Sequence, residues 1–250
     1  MTALMLDSND ITDDAMLAKL FDACQQISPY LKGELASPRS EDVAGGEQDL
    51  AVIQQLYDAI AEQTPEAGHS YWLARCWSLL LWQPLYIAMI GTYEFGCVPS
   101  FKGFSQKRHS VYIMGFGFER AQIYSANQAS LIKNSGQQLK PLFDHYREQI
   151  DRWKRCPLSF TQVLLADSIL ANLVLLQKLK PEFSGEQILQ QGKQWLAAFS
   201  LSENYLSAFN IADDGSLNFV RRSCCLVYKT QGGELCSDCP RLHRQKINRK

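Results

Sequence analysis

A chain of 250 residues, 46% hydrophobic and 20% charged, is long enough to bury a substantial core and falls in the ordinary globular range. Its 25 basic and 26 acidic residues nearly cancel, which argues against a general nucleic-acid binder. The charge is polarised: residues 1–68 hold thirteen Asp or Glu against Lys19, Lys32 and Arg39, whereas residues 221–250 hold eight basic side chains against Glu234 and Asp238.

The first ten residues are acidic and lack a basic start followed by an apolar core, so no secretory signal is expected and the cysteines are expected to stay reduced. Ile11, Met16, Leu17, Leu20, Phe21, Cys24 and Ile27 recur at helical spacing, with Asn9 and Asp10 as candidate caps. A polar stretch with Pro38, Gly45 and Gly46 follows and reads as the mobile part of the N-terminal half. Leu50, Ile53, Leu56, Tyr57 and Ile60 then predict a second helix. No charged residue occurs from Cys76 to Tyr93, which brings that run to the lower length limit of a membrane span. Gln83 and Pro84 interrupt it, Arg75 and Glu94 close it, and no other run is expected to accompany it. A buried central helix kinked at Pro84 is the expectation, with Trp72, Trp77 and Trp82 as core or pocket wall.

Between 97 and 119, Val98, Phe101, Phe104, Val111, Tyr112, Ile113, Phe116 and Phe118 alternate with Gly103, Gly115 and Gly117, which predicts a β-hairpin or small sheet. Gly115-Phe-Gly117 is no dinucleotide fingerprint, because Arg120 stands at the third glycine position and no βαβ pattern surrounds it. Without a nucleotide site, electrons for any redox role must come from a partner. Helices return over 127–152, 159–179 and 185–200, with Ser159 and Ser184 as N-caps and Pro157 and Pro181 at the breaks. The expected fold is mainly α with a small β-hairpin or sheet (α+β): a helical body over 1–215 and a small cysteine-rich domain over 216–250.

The tail carries the chemistry. Cys224 and Cys225 are adjacent, ten residues separate them from Cys236, and Cys239 follows two residues later. Thiolates are soft ligands that select zinc, copper(I) or iron–sulfur clusters. Adjacent cysteines rarely bond one another, because an extended trans peptide sends their side chains to opposite sides. A vicinal pair is a poor knuckle for one tetrahedral zinc ion, whereas a two-iron cluster accepts ligands from divergent directions. One such arrangement sets the vicinal pair against Cys236 and Cys239. A tight two-residue hairpin at Gly232-Gly233 would bring Lys229, not Cys225, opposite Cys236, so the ligand loop is expected to be looser than a hairpin.

The stretch Arg222-Ser-Cys-Cys-Leu-Val-Tyr228 followed by Cys236-Ser-Asp-Cys239-Pro240 resembles the C-terminal signature of FhuF-like siderophore ferric-iron reductases. The resemblance implies a [2Fe-2S] cluster on Cys224, Cys225, Cys236 and Cys239, and one-electron reduction of siderophore-bound Fe(III) in the cytoplasm. It also implies an external donor such as a ferredoxin or flavodoxin-type reductase. Nucleic acid is not among the expected partners, nor is a transmembrane segment, though peripheral association with the inner membrane face is compatible with the reading. A ferric siderophore is large and often anionic, so its site should be a groove near the cluster with cationic and aromatic walls. Arg222, Arg108 and His243 are the leading candidates, with Arg75, Lys102, His109 and Arg120 behind them. Two other readings stand beside this one: a zinc-stapled interaction protein, for which His243 could replace one cysteine, and an iron–sulfur redox or iron sensor.

Overall fold

The computed structural model describes residues 12–212 and 215–247; Ile11 and the caps expected at Asn9 and Asp10 lie outside them. Helix α1 (Asp13–Ile27) begins where the Thr12 side chain accepts the Ala15 N–H, and it buries Leu17, Leu20 and Cys24. Helix α2 (Asp49–Gln63) presents Val52, Ile53, Leu56, Tyr57 and Ile60 to the core at the spacing the sequence showed. Helix α3 (His69–Ile90) is buried on most of its circumference and forms the centre of the body. Pro84 lies inside α3 without ending it. Proline cannot donate to the carbonyl four residues back, and the fully buried Gln106 supplies that bond through its Nε2, 3.0 Å from Leu80 O.

The expected hairpin is β4 (Phe104–His109) against β5 (Tyr112–Phe118), the middle of a four-stranded sheet. Its flanks come from the stretch that read as mobile: β1 (Gly33–Leu35) pairs parallel with β5, and β2 (Asp42–Val43) pairs antiparallel with β4. That stretch is further fastened by Asp49, which is fully buried, accepts the Ala44 and Gly45 N–H groups at 2.9 Å and meets His145 Nε2 at 3.0 Å. Strands of two and three residues are too short to show an alternating pattern, which is why the sequence presents them as loop. Strands β3 (Cys97–Pro99) and β6 (Ile123–Ser125) form a separate pair. Phe21, Phe101, Phe104, Phe116 and Phe118 interlock ring to ring beneath the larger sheet.

Three more helices complete the body. Asn127 caps α4 (Gln128–Asp151), and Ser184 with Gln187 forms a full capping box on α6 (Gly185–Ala198). Ser159, expected as a cap, lies in the first turn of α5 (Leu158–Leu179), where Pro157 occupies the cap position. Gly136 lets α4 and α6 cross closely, since a Cβ there would collide with the Ala198 carbonyl. The segment His69–Phe95 and helix α5 are both long and apolar enough to cross a membrane, so the expectation that no second such run exists is corrected. Within the most apolar window of each, the first is 78% buried inside the protein, as a core helix is, and the second 50%. The chain then runs through a ribbon of β7 (Phe209–Ile211) and β8 (Leu217–Phe219), whose Leu217 joins the core, and ends in α7 (Pro240–Ile247).

Candidate metal centre and the adjoining groove

The cysteine tail is held against the body by a buried carboxylate. Asp167 is an acidic residue inside the apolar helix α5 and is almost fully buried. It accepts the Arg222 N–H at 3.0 Å and the Ser223 N–H at 2.8 Å, and the Ser223 hydroxyl donates to it as well. Burial pushes its pKa up, while the bonds from Ser223 and Arg222 and the charge of Arg221 oppose the shift. The backbone just before the vicinal cysteines is thereby fixed on α5.

Three further contacts shape the tail. Arg221 donates its backbone N–H to Asp238 O at 3.0 Å and its Nε to the Asp238 carboxylate at 2.5 Å, closing the two cysteine segments on one another. Gln231 N–H donates to Glu66 at 2.8 Å. The Cys239 N–H donates to Cys236 O at 3.1 Å, and Cys239 O accepts the His243 N–H, so the Cys236–Cys239 turn runs straight into α7 with Pro240 as its first residue.

Between these anchors the chain forms no hairpin. A 3-10 turn spans Val227–Lys229, Gly232 adopts a left-handed conformation, and Gly233 passes so close to the Val227 carbonyl that no Cβ fits. The loop is looser than a tight hairpin, as its register required, and it brings Cys225 to Cys236 rather than leaving Lys229 opposite.

The sulfurs meet in pairs that cross the sequence order. Cys225 Sγ and Cys236 Sγ stand 2.9 Å apart, and the Cys224 thiol interacts with Cys239. This differs from the arrangement in which the vicinal cysteines act together against Cys236 and Cys239. Its cause is Leu226, which takes a left-handed φ of 60° directly after the pair and turns its N–H onto Cys224. A left-handed leucine costs about 1–2 kcal/mol, a strain that the surrounding contacts must hold.

All eight cysteines are free; Cys239 is buried and the other three of the tail are half-buried. Burial, and next the Cys225 side chain, push Cys236 up to about 12; burial also raises Cys224, with Cys239 and Cys225 adding to it. Crowded thiols of this kind are protonated when alone, and a bound cation reverses that order by taking them as thiolates. Among the described residues no three His, Cys, Asp or Glu side chains converge as ligands of one ion. The donor set is two facing sulfur pairs, which fits a two-metal cluster.

Beside this tail lies a groove of about 670 Å³, walled by α3, α5 and the start of β5. Tyr30, Trp82, Tyr86 and Tyr112 line it, with Arg75 from α3 and Arg221 from the cysteine tail. Arg75 also faces a smaller cavity of about 270 Å³ that reaches Val227, two residues past Cys225. Tyr71, raised by burial, lies within electrostatic reach of both Arg75 and Cys225. Groove and sulfurs are therefore neighbours.

The other basic candidates are engaged elsewhere. Arg222 donates to Asn204 O and Ser207 Oγ, both at 2.7 Å, and lies over the Tyr205 ring. Arg108 donates to Gln55 on α2, and His243 is exposed on α7. None of the three lines the groove. Trp77 belongs to the core, and Trp82 to the groove wall. Sequence reasoning missed Asp167, although a lone carboxylate within an apolar helical run is the signal that finds it.

A helical body presenting four cysteines on a short, latched tail is the architecture of a thiolate metal-site protein. Residues 221–241 match the family model described as FhuF 2Fe-2S C-terminal domain, a stretch that contains all four cysteines. That match, which covers the tail alone, supports the resemblance to FhuF-like siderophore reductases. No solved structure matches the chain.

Proposed function

We propose that the protein is a siderophore ferric-iron reductase that delivers one electron to siderophore-bound Fe(III) and releases Fe(II) in the cytoplasm. The observation that carries this reading is the pairing of Cys225 with Cys236 and of Cys224 with Cys239 inside the stretch that matches the 2Fe-2S domain. A [2Fe-2S] cluster on these four sulfurs would supply the one-electron chemistry, with each facing pair on one iron. Asp167 holds the ligand loop in register, and Arg221 lies within electrostatic reach of Cys225 and Cys236. A cation there favours the more negative, reduced form.

The substrate chemistry follows from ligand hardness. Oxygen donors hold Fe(III) far more tightly than the larger, softer Fe(II), so one electron weakens the chelate and lets the metal leave. Without a nucleotide fingerprint, the chain depends on an external donor, a ferredoxin or flavodoxin-type reductase, which can meet it in solution or at the inner membrane face. The test is anaerobic purification followed by a visible spectrum with iron and acid-labile sulfide counts. A coloured protein with two irons and two sulfides per chain supports the reading, and a colourless zinc protein returns the tail to a structural staple. An iron–sulfur protein that no ferric chelate reoxidises is a sensor instead.

A further inference from the structure

We propose that the groove between α3, α5 and β5 is the binding site of a net-anionic, oxygen-donor ferric chelate, and that Arg75 is the residue that selects for its negative charge. The proposal rests on the reductase reading for the identity of the metal, but not for the chemistry of the groove.

Among the described residues, two arginines are the only charged side chains that line the cavity of about 670 Å³. No described Asp or Glu lines it, although acidic residues slightly outnumber basic ones in the chain. Arg221 is compensated by Asp238, which lies outside the groove lining. Arg75 has no hydrogen bond or ion pair with any described residue and is half-buried. A half-buried guanidinium without a partner has lost part of its hydration, so an anion that enters the groove meets a cation with donors to spare. The other large cavities lack a half-buried, unpaired guanidinium. The one beside the Cys236–Cys239 turn sets Arg221 against Asp238 and leaves only the exposed, well-hydrated Lys178, and the one under α4 sets Lys140 and Arg147 against Asp144 and Glu148.

The remaining lining suits an oxygen-rich, partly apolar ligand. Tyr30 and Tyr112 stand half in solvent at the mouth, Trp82 offers a ring face, and Ser78, Ser168 and Asn172 offer hydrogen bonds. The volume lies within the range of about 300–1,000 Å³ typical of small-molecule sites. Because Arg221 both lines the groove and leads into Cys224, a chelate held here sits next to the sulfur tail.

The experiment uses the oxidised full-length protein and the Ga(III) complexes of one linear trihydroxamate whose terminal amine is left free, acetylated or succinylated. Ga(III) keeps the charge and shape of Fe(III) but cannot be reduced by the protein. The three probes share a core and carry net charges of plus one, zero and minus one, and binding is read by calorimetry. Wild type should bind the succinyl form most tightly and the free amine most weakly. Arg75→Gln should weaken the succinyl form by roughly tenfold or more and flatten the ranking, while Arg75→Lys retains it in part. Ser78→Trp, which fills the groove, should weaken all three. Equal binding of the three probes by wild type, or a ranking that survives Arg75→Gln, overturns the groove assignment and leaves the reductase reading standing. A charge ranking that depends on Arg75, combined with no Fe(II) release from the ferric forms, keeps the groove as an anion site and removes the reductase reading.

Discussion

Asp167 accepts the Ser223 backbone N–H at 2.8 Å, and this one contact joins the most apolar helix of the body to the residue preceding Cys224. Replacing Asp167 with alanine leaves two backbone N–H groups without their acceptor, each costing about 1–3 kcal/mol when buried. The expected outcome is a tail that detaches before the body unfolds. Iron content per chain should drop, and the cluster should bleach faster under a chelator. Unchanged iron retention in Asp167→Ala would show that the cluster itself positions the loop.

Removing the metal should separate the two parts of the chain. Residues 221–247 are held by Asp167, Glu66, the Arg221–Asp238 contact and the cysteine pairs, whereas α3 is buried in a core to which the tail adds only the partly buried Leu226. Apo protein should lose hydrogen-exchange protection across the tail while the amides of α3 keep theirs. Loss of protection in α3 to the same degree would mean that the cluster stabilises the whole chain.

The crossed sulfur pairs predict how serine replacements group. On the proposed cluster, Cys225→Ser and Cys236→Ser would alter the ligands of one iron, and Cys224→Ser and Cys239→Ser those of the other. Variants within a pair should resemble one another in absorption and in the paramagnetic spectrum of the reduced form. A grouping of Cys224 with Cys225 would restore the arrangement by sequence neighbours.

Much of this was legible in the sequence, and the exceptions have a common physical cause. Long amphipathic segments such as α1, α2 and α4 announce themselves by spacing, as did the β4–β5 hairpin and the four cysteines. The strands β1 and β2 did not, because two or three residues carry no period. The pairing of Cys225 with Cys236 depends on one left-handed residue, Leu226, which no side-chain pattern reveals. The groove gathers Tyr30, Arg75, Trp82, Tyr112, Asn172 and Arg221, six positions spread over most of the chain, so only tertiary packing brings them together.

Alkaline pH tests the buried thiols. Burial pushes Cys24 and Cys156 up to about 12 from an ordinary value of 9.0. Below pH 9 both folded and unfolded chains keep these protons, and the stability tied to them is fully present. Between 9 and about 12 the unfolded chain releases protons that the folded one retains, so stability falls with rising pH by up to about 1.4 kcal/mol per unit for each thiol. Urea midpoints measured in reductant should decline over this range, and Cys24→Ala should decline less steeply than wild type. Equal slopes for the two would contradict the burial of Cys24 as the cause.

The reductase account meets its most direct test in a single anaerobic mixing experiment. Protein with its cluster pre-reduced is combined with a ferric siderophore and an Fe(II)-specific trap, and cluster absorbance and trapped Fe(II) are followed together. The account predicts one Fe(II) released for each cluster reoxidised, with matching time courses. Reoxidation without Fe(II), or a cluster that stays reduced across hydroxamate, catecholate and mixed chelates, would contradict it.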